Sequence, residues 1–253
     1  MSSSETPRRV ALVTGASRGI GAETARELAR RGYALVLAAR SATPLEELAT
    51  ELRAAGAEAL AVPADLAQPA DVARLARAAL GWRGRVDVVI GNAGAGGSGR
   101  AVAESDTDVI QQTIALNLTG QILLTHALLP QMLDRRSGAF VFVGSFISRV
   151  AIPGNADYSA SKFGLRGFAH ALRGEVRSAG IGVTLVAPGI IDTAMTTDLA
   201  GMRKAKPQQV ALAIARAAEH PQRDLVVPGY YRALWWLDSF APWVTDAMLA
   251  RRR

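Results

Sequence analysis

Cysteine is absent from this chain of 253 residues, and lysine occurs at only three positions. The absence of cysteine excludes disulfide bonds, thiolate nucleophiles and zinc–thiolate sites. No uninterrupted apolar run approaches the roughly 18 residues that a membrane-spanning helix needs. The polar start, Met1 to Arg9, leads into an apolar segment that is too short for the core of a signal peptide. These absences predict a soluble protein of the cytoplasm.

Histidine and clustered positive charge are also scarce. None of the histidines has a neighbour at metal-ligand spacing, so no metal site is predicted; they are His126, His170 and His220. The net charge of +7 comes almost wholly from arginines that stand singly or in pairs, with one run at Arg251–Arg253. No stripe of aromatic and basic residues accompanies them, so we expect no nucleic acid partner. An anionic cofactor, an anionic substrate or an acidic membrane surface could each suit this charge.

What is present is an alternation of short apolar runs with longer stretches of helical periodicity, such as Ile20–Arg31, Asp106–Leu133 and Tyr158–Ala179. This order predicts a doubly wound parallel sheet with helices on both faces, because each crossover buries one helical stripe. We expect a single domain over residues 8–228, followed by an apolar extension over residues 229–253. The seven predicted strands are Val10–Val13, Ala34–Ala39, Ala59–Pro63, Val86–Ile90, Gly138–Val143, Gly182–Val186 and Asp224–Val227.

The first strand leads into a glycine-rich turn and then a helix. Glycines at this place allow a tight turn, let backbone N–H groups approach a pyrophosphate and let the helix pack close to the sheet. The spacing, G-x-x-x-G-x-G, differs from the G-x-G-x-x-G of other dehydrogenases. It therefore predicts a dinucleotide site formed by Thr14-Gly15-Ala16-Ser17-Arg18-Gly19-Ile20-Gly21.

The end of the second strand indicates which dinucleotide binds. Enzymes that use NAD usually have a carboxylate here for the adenosine ribose, whereas this chain has Ala39 followed by Arg40. Together with Arg18, Arg40 predicts a pocket for the 2′-phosphate of NADP(H), since guanidinium groups bind phosphate in bidentate fashion. After the third strand, Asp65 is placed to bond the adenine, with Leu66 packed beside it. Asn92-Ala93-Gly94 follow the fourth strand and would form a wall of the cofactor cleft.

A serine, a tyrosine and a lysine predict the reacting centre. Tyr158 and Lys162 are four residues apart at the start of a helical stretch, so both side chains lie on one face. A neighbouring ammonium favours the phenolate and lowers the tyrosine pKa, which suits proton exchange with a carbonyl or an alcohol. Ser145 ends the fifth strand, at the sheet edge where ligands bind, and its hydroxyl can orient the substrate oxygen.

Together these motifs resemble the short-chain dehydrogenase/reductase family, from Arg8 to about Pro228. The set that carries the resemblance is Thr14-Gly15-x-x-x-Gly19-x-Gly21, Asn92-Ala93-Gly94, Asn117, Ser145, Tyr158-x-x-x-Lys162 and Pro188-Gly189. The resemblance implies a Rossmann fold, hydride transfer with NADP(H) and a homodimer or homotetramer. Two positions depart from the family pattern without removing a catalytic group. Gly91 stands where a second asparagine is common, and Gly144 where many members have serine.

The resemblance also implies individual roles. Tyr158 would be the proton donor and acceptor, while Lys162 would lower its pKa and hold the nicotinamide ribose. Ser145 would orient the substrate oxygen, Asn117 would keep a water in a proton relay, and Thr193 would bind the cofactor carboxamide. The full set of residues expected to contact the cofactor is Gly15, Ser17, Arg18, Gly19, Ile20, Gly21, Arg40, Asp65, Leu66, Asn92, Ala93, Gly94, Tyr158, Lys162, Pro188, Gly189, Ile191 and Thr193.

The predicted function is therefore NADPH-dependent interconversion of a carbonyl and a secondary alcohol. Reduction of 3-oxoacyl groups on a carrier protein is an alternative within the same chemistry. A non-catalytic NADP-sensing protein is a second alternative, although it should have lost the tyrosine, lysine and serine. A sugar-nucleotide epimerase is a third, but it needs another glycine spacing and a longer chain.

The substrate and the tail are less determined. Apolar residues between Ile190 and Lys206 favour an apolar or aromatic carbonyl, and the residues expected to contact it are Ser145, Ile147, Tyr158, Ile190 and Met195. Beyond Pro228, an aromatic stripe that includes Trp235, Trp236, Phe240 and Trp243 has two interpretations. In the first, it folds over the domain or a sister subunit and helps close the substrate pocket. In the second, it binds an anionic membrane surface, where indole rings and arginines are both favoured. Pro242 is expected to start a second short helix.

Overall fold

The computed structural model describes residues 8–193, 196 and 204–250. Within them, seven strands form one parallel sheet in the order β3-β2-β1-β4-β5-β6-β7. This confirms the predicted single-domain, doubly wound fold. The strands are β1 (Val10–Thr14), β2 (Ala34–Ala39), β3 (Ala59–Pro63), β4 (Val88–Gly91), β5 (Gly138–Val143), β6 (Ile181–Pro188) and β7 (Asp224–Val227).

Helices connect these strands and cover both faces of the sheet. Alternate residues of β1 show how: Val10 and Leu12 belong to one buried cluster, while Ala11 and Val13 belong to the other. Both faces of the strand are thus dry, which explains its uninterrupted apolar sequence. The helices are α1 (Gly19–Arg30), α2 (Ala42–Ala54), α3 (Pro69–Arg83), α4 (Thr107–Ile114), α5 (Gly120–Arg135), α6 (Ala156–Val176), α7 (Pro207–Glu219), α8 (Tyr231–Phe240) and α9 (Pro242–Ala250).

Some predicted strand boundaries were wrong. Strand β6 runs over Ile181–Pro188 rather than Gly182–Val186. Strand β4 begins at Val88 rather than Val86, because the backbone groups of Val86 bond the side chains of Gln131 and Arg135. The stretch Asp106–Leu133 is helical as predicted from Thr107 onward, but a π-helical turn over Ala115–Thr119 lies between α4 and α5. A π turn of this kind often marks a functional position, and this one contains Asn117.

The order of the strands places the site. The chain leaves β1 toward β2 on one side, and β4 lies on the other side of β1. Loops that follow β1 and β4 therefore diverge and leave a crevice at the carboxyl edge of the sheet, where ligands bind in folds of this type. The glycine-rich turn and Asn92 flank this crevice.

The C-terminal extension forms α8 and α9, and Pro242 starts the second helix as predicted. The aromatic stripe is not a single face. Trp235 is 5% exposed and packs against Val150, whereas the neighbouring Trp236 is 60% exposed. Adjacent residues on a helix point about 100° apart, so one tryptophan reaches the domain and the next faces outward. None of the helices in the described ranges is long and apolar enough to cross a membrane.

Candidate active site

The glycine-rich turn has room for backbone only. Gly15 and Gly19 have φ angles of +64° and +58°, a region that side chains disfavour. A Cβ on Gly15 would lie 2.8 Å from the Asn92 amide nitrogen, and one on Gly21 would overlap the Gly15 carbonyl. The turn therefore brings bare backbone and the start of α1 to the crevice. Such a cradle fits the pyrophosphate of a dinucleotide.

Thr14 and Asn92 lock the two sides of the crevice together. The Thr14 hydroxyl accepts the N–H groups of Asn92 and Ala93, each at 3.0 Å, and donates to the Ile90 carbonyl at 3.1 Å. In return, the Asn92 side chain donates to the Thr14 carbonyl at 2.9 Å. These bonds fix the end of β4 relative to the end of β1, and with it the width of the cofactor cleft.

The two predicted phosphate ligands lie at the same edge. Ala16 donates to the Ala38 carbonyl at 3.1 Å, which holds the glycine-rich turn next to the end of β2. Arg18 and Arg40 are both exposed there. Ser41, which the sequence reasoning did not single out, is exposed beside Arg40 and its side chain makes no capping bond at the start of α2. A serine just before a helix is the signal that could have identified it.

The residues predicted to contact the adenine follow β3. Asp65 is half-buried after β3, and its carboxylate accepts the Ala67 N–H at 3.0 Å. Its own N–H goes to Asp71 at 2.8 Å, and this backbone bond is the main reason why the Asp71 pKa is lowered. Leu66 is 2% exposed and belongs to the core beneath Gly120. Its side chain packs in the core, and the contact of this residue with adenine stays a prediction.

The structure brings the predicted reacting residues together at the end of β5. Ser145 and Lys162 are buried, at 8% and 4% exposure. The Lys162 ammonium donates to the Val143 carbonyl at 3.0 Å and lies 5.6 Å from the centre of the Tyr158 ring. Ser145 N–H and the Ser148 hydroxyl are 2.9 Å apart, so a short turn fixes the backbone of the serine. The three side chains thus share one corner of the crevice, in which Ser145 and Lys162 are buried and Tyr158 is half-buried.

Burial dominates the electrostatics of this corner. It lowers the Lys162 pKa to about 8, since an ammonium is disfavoured away from water. Burial also raises the pKa of Tyr158, and the Ser145 side chain opposes that rise through hydrogen bonding. The sequence predicts that Lys162 lowers the pKa of Tyr158. In the structure burial outweighs the opposing effects, and the Tyr158 pKa is raised. Tyr158 therefore keeps its proton at neutral pH.

Asn117 is fully buried in the π turn and is engaged with protein groups. Its side-chain oxygen accepts the Ala95 N–H at 2.9 Å, and its nitrogen donates to the Ala95 carbonyl at 3.0 Å and to Ser161 at 3.1 Å. The side chain therefore anchors the loop that follows β4 to the helix of Tyr158. The predicted water relay stays a prediction.

The predicted contacts after β6 are divided between cleft and core. Pro188 and Ile191 are buried, and Ile191 belongs to the core. Thr193 lies over the glycine-rich turn, because a Cβ on Gly19 would meet its methyl group at 3.4 Å. Met195 lies outside the described residues. Three other predicted residues, Ser17, Ile20 and Ile190, are half-buried, and Ile147 is 9% exposed.

The C-terminal extension also reaches the site, through residues that the sequence reasoning did not assign to it. The Tyr231 ring fills the space where Gly189 has no side chain, and its hydroxyl accepts the Ile190 N–H at 3.3 Å. It also packs on Phe146, with 5.1 Å between ring centres. The Trp235 indole donates to the Phe146 carbonyl at 2.8 Å. Only aromatic composition pointed to this contact, and composition does not specify a partner.

Within the described residues, no group of three acidic or histidine side chains is placed to hold a metal ion. The geometry can instead bind a dinucleotide along the glycine-rich turn and present the hydroxyls of buried Ser145 and half-buried Tyr158 to a substrate oxygen. Both features need only backbone amides, arginines and the serine, tyrosine and lysine described above.

Comparisons with known proteins agree with this arrangement. The chain is 38% identical over 223 residues to a 3-oxoacyl-[acyl-carrier-protein] reductase of Synechocystis, covering 84% of this chain and 90% of that protein. A solved alcohol dehydrogenase from Thermococcus sibiricus, complexed with 5-hydroxy-NADP, has a TM-score of 0.80 at 29% identity and covers 89% and 98% of the two chains. An actinorhodin polyketide ketoreductase with NADPH has a TM-score of 0.82 at 32% identity, covering 88% and 97%.

The family model described as short chain dehydrogenase matches residues 9–204, which is most of the chain. That range includes the glycine-rich turn and the serine, tyrosine and lysine of the buried corner. The protein belongs to the short-chain dehydrogenase/reductase family of oxidoreductases.

Proposed function

We propose that this protein is an NADPH-dependent oxidoreductase that interconverts a carbonyl and a secondary alcohol on an apolar small molecule. The observation that carries the proposal is the buried corner in which Ser145, Tyr158 and Lys162 meet beside the glycine-rich crevice. A bound NADPH would supply the hydride. The protein would supply the proton and hold the substrate oxygen.

Each side chain of the corner has a defined task in reduction. Ser145 donates a hydrogen bond to the carbonyl oxygen and holds it near the phenol. Tyr158 is protonated at neutral pH because burial raises its pKa, so it can give its proton to that oxygen as the carbon accepts hydride. The Lys162 ammonium is fixed to β5. It stabilises the negative charge that develops on Tyr158 when the proton leaves.

Preference for NADPH rests on charge at the end of β2. Arg18 and Arg40 can both approach a 2′-phosphate, and Ser41 can add a hydroxyl. Ala39 offers no carboxylate that would repel the phosphate or bond the ribose hydroxyls of NADH. Two solved relatives carry NADP-type cofactors, as their descriptions state.

The apolar and aromatic residues near Ser145 support the proposal of an apolar substrate. The Tyr231 ring packs on Phe146, the neighbour of Ser145, and the Tyr231 hydroxyl accepts the Ile190 N–H. Aromatic and aliphatic side chains near Ser145 favour an aromatic or aliphatic body on the substrate. Reduction of a 3-oxoacyl group on a carrier protein is a second candidate, favoured by the similarity to the Synechocystis reductase.

One assay tests the proposal and separates the candidates. The purified protein is mixed with NADPH and either apolar ketones or a 3-oxoacyl thioester, and loss of the NADPH absorbance is followed. We expect consumption of NADPH with at least one apolar ketone. Consumption with the thioester alone would favour the second candidate, whereas NADPH binding without consumption by any carbonyl would favour a cofactor-sensing protein and contradict the proposal.

We also propose that the exposed side of α8 and α9 binds an anionic membrane surface. Trp236 and Phe240 stack with 5.7 Å between ring centres, and they are 60% and 73% exposed. Trp243 on α9 is 68% exposed. Such an aromatic surface is costly in water, and indole rings are favoured at lipid headgroups.

Charge supports an anionic partner for that surface. From residue 229 onward the sequence has four arginines and two aspartates. Arg232 is exposed one turn before Trp236, and Arg251–Arg253 follow α9 in the sequence. Basic residues next to aromatic ones favour a negatively charged bilayer. A homo-oligomer is proposed separately, since Leu133 on α5 and Phe163 on α6 are also exposed.

A further inference from the structure

Gly91 is the last residue of β4, and the space that a side chain would need there is occupied by Gln121 of α5. A Cβ at this position would lie 2.6 Å from the side-chain oxygen of Gln121 and 2.9 Å from the Phe142 ring. Gln121 lies in the first turn of α5 and is 1% exposed. A side chain from helix α5 therefore occupies the space beside the end of β4 that a side chain at position 91 would need.

The amide of Gln121 makes one hydrogen bond. Its nitrogen donates to the Ala93 carbonyl at 3.0 Å. Its oxygen is buried and has no hydrogen-bond partner among the described residues. Leaving such an oxygen unpaired is destabilising, and methionine of similar volume would avoid this cost. The hydrogen bond to the Ala93 carbonyl, which methionine could not make, offsets this cost in Gln121.

That bond completes the support of the cleft wall, residues 92–95. Thr14 accepts the N–H groups of Asn92 and Ala93. Asn117 binds both backbone groups of Ala95. Gln121 holds the remaining carbonyl of Ala93 between these two anchors.

The wall stands directly against the reacting centre. A Cβ on Gly94 would lie 3.4 Å from the Lys162 ammonium and 3.1 Å from the Asn117 oxygen. A small shift of the wall therefore changes the space between the crevice and Lys162. It also changes where a cofactor along the crevice would sit.

We infer that Gln121 is a positioning residue for the cofactor cleft and that Gly91 and Gln121 form a matched pair. The side chain of Gln121 occupies the volume that position 91 leaves empty, and its N–H group fixes the Ala93 carbonyl. This role rests on the proposed use of NADPH by the same cleft.

The first test is Gln121→Met, which keeps the volume and removes the N–H donor. Binding of NADPH alone is measured by the change in cofactor fluorescence, without substrate. We expect its dissociation constant to rise at least threefold. The matched control is Thr125→Val on the next turn, which loses a buried bond to the Gln121 carbonyl without touching the wall.

The control separates positioning from general stability. Weaker NADPH binding in Gln121→Met but not in Thr125→Val, at comparable losses of melting temperature, supports the inference. An unchanged dissociation constant in Gln121→Met, or equal weakening in both variants, overturns it. If the unmodified protein binds no NADPH, the proposed function fails instead, so the two failures are distinguishable.

The second test uses stability and needs no cofactor. Gly91→Ala places a methyl group against the Gln121 oxygen and should lower the melting temperature. In a Gln121→Ala background this loss should shrink by at least half, because the nearer of the two obstructing side chains is gone and only the Phe142 ring remains. Additive losses from the two substitutions, as found for independent sites, would contradict the matched pair.

Discussion

The ammonium nitrogen of Lys162 lies 5.6 Å from the centre of the Tyr158 ring, and Lys162 follows Tyr158 by four residues in α6. The same nitrogen donates to the Val143 carbonyl at 3.0 Å, which ties it to the end of β5. Helix α6 therefore supplies both groups, and the strand fixes the distance between them. The ammonium is buried by this arrangement, and its pKa falls to about 8.

Tyr158→Phe should remove the proton donor and little else. We expect turnover on the best carbonyl substrate to fall by about 100-fold or more, the range typical for loss of a general acid. NADPH binding, followed by cofactor fluorescence, should change less than twofold, because the ring remains. A variant that kept most of its turnover would show that the proton comes from another group.

Lys162→Met should lower the activity of the protein and raise its stability at neutral pH. The folded-state pKa of Lys162, about 8, is below its ordinary value of 10.5, so the unfolded chain binds this proton more tightly. Burying the charged Lys162 therefore lowers the free energy of unfolding by its full amount below pH 8, and this loss disappears as the pH rises toward 10.5. At pH 7 the substitution should therefore raise the free energy of unfolding by about 1–3 kcal/mol, while turnover and NADPH affinity both fall.

Denaturant unfolding of the two proteins at several pH values checks this sign. The gain from Lys162→Met should be largest at and below pH 7 and should shrink above pH 8. A variant that is less stable than its parent at pH 7 would mean that the bond to the Val143 carbonyl outweighs the burial of charge.

Short-range patterns predicted most of the fold and of the reacting centre. All seven strands were found because most of their residues are buried between the covering helices, although the bounds of β4 and β6 were wrong. Tyr158 and Lys162 were found because their spacing is local. What the sequence could not indicate depends on contacts between distant segments. The Leu66 side chain packs in the core. Trp235 contacts the domain, whereas Trp236, about 100° away around the helix, faces outward. Gln121 was missed because its partner, Gly91, is marked only by an absent side chain.

Ala39→Asp should shift the cofactor preference. A carboxylate at the end of β2 repels the 2′-phosphate and can bond the ribose hydroxyls of NADH. In the unmodified protein we expect at least tenfold tighter binding of NADPH, equivalent to about 1.4 kcal/mol. The substitution should remove most of that difference. Arg40→Gln is the matched comparison, and it should weaken NADPH while leaving NADH unchanged; equal affinity of the unmodified protein for both cofactors would contradict the assignment.

Trp235→Phe should disturb catalysis from outside the reacting centre. The indole donates to the Phe146 carbonyl at 2.8 Å, next to Ser145. Loss of that donor frees the turn that positions the serine, so we expect kcat/KM to fall about threefold to tenfold, equivalent to about 0.7–1.4 kcal/mol. Trp236→Phe is the matched control, because the neighbouring tryptophan is exposed. Equal kcat/KM in the two variants would show that α8 does not support Ser145.

Replacing two exposed tryptophans should abolish binding to anionic lipid while leaving the fold intact. Trp236→Gln combined with Trp243→Gln removes large apolar surfaces that are 60% and 68% exposed, and it keeps Trp235 in place. The unmodified protein should sediment with vesicles that contain phosphatidylglycerol, and added salt should release it, because charge screening weakens the contribution of the arginines. Vesicles of phosphatidylcholine alone should retain little. Leu133→Gln, which replaces an exposed apolar side chain on α5, serves as the control and should bind like the unmodified protein.

Light scattering of the same variants tests whether a second copy of this chain covers the aromatic surface instead of a membrane. If the double substitution reduced the oligomer mass and the unmodified protein ignored anionic vesicles, the surface would be an interface between copies of this chain, and the membrane proposal would be wrong.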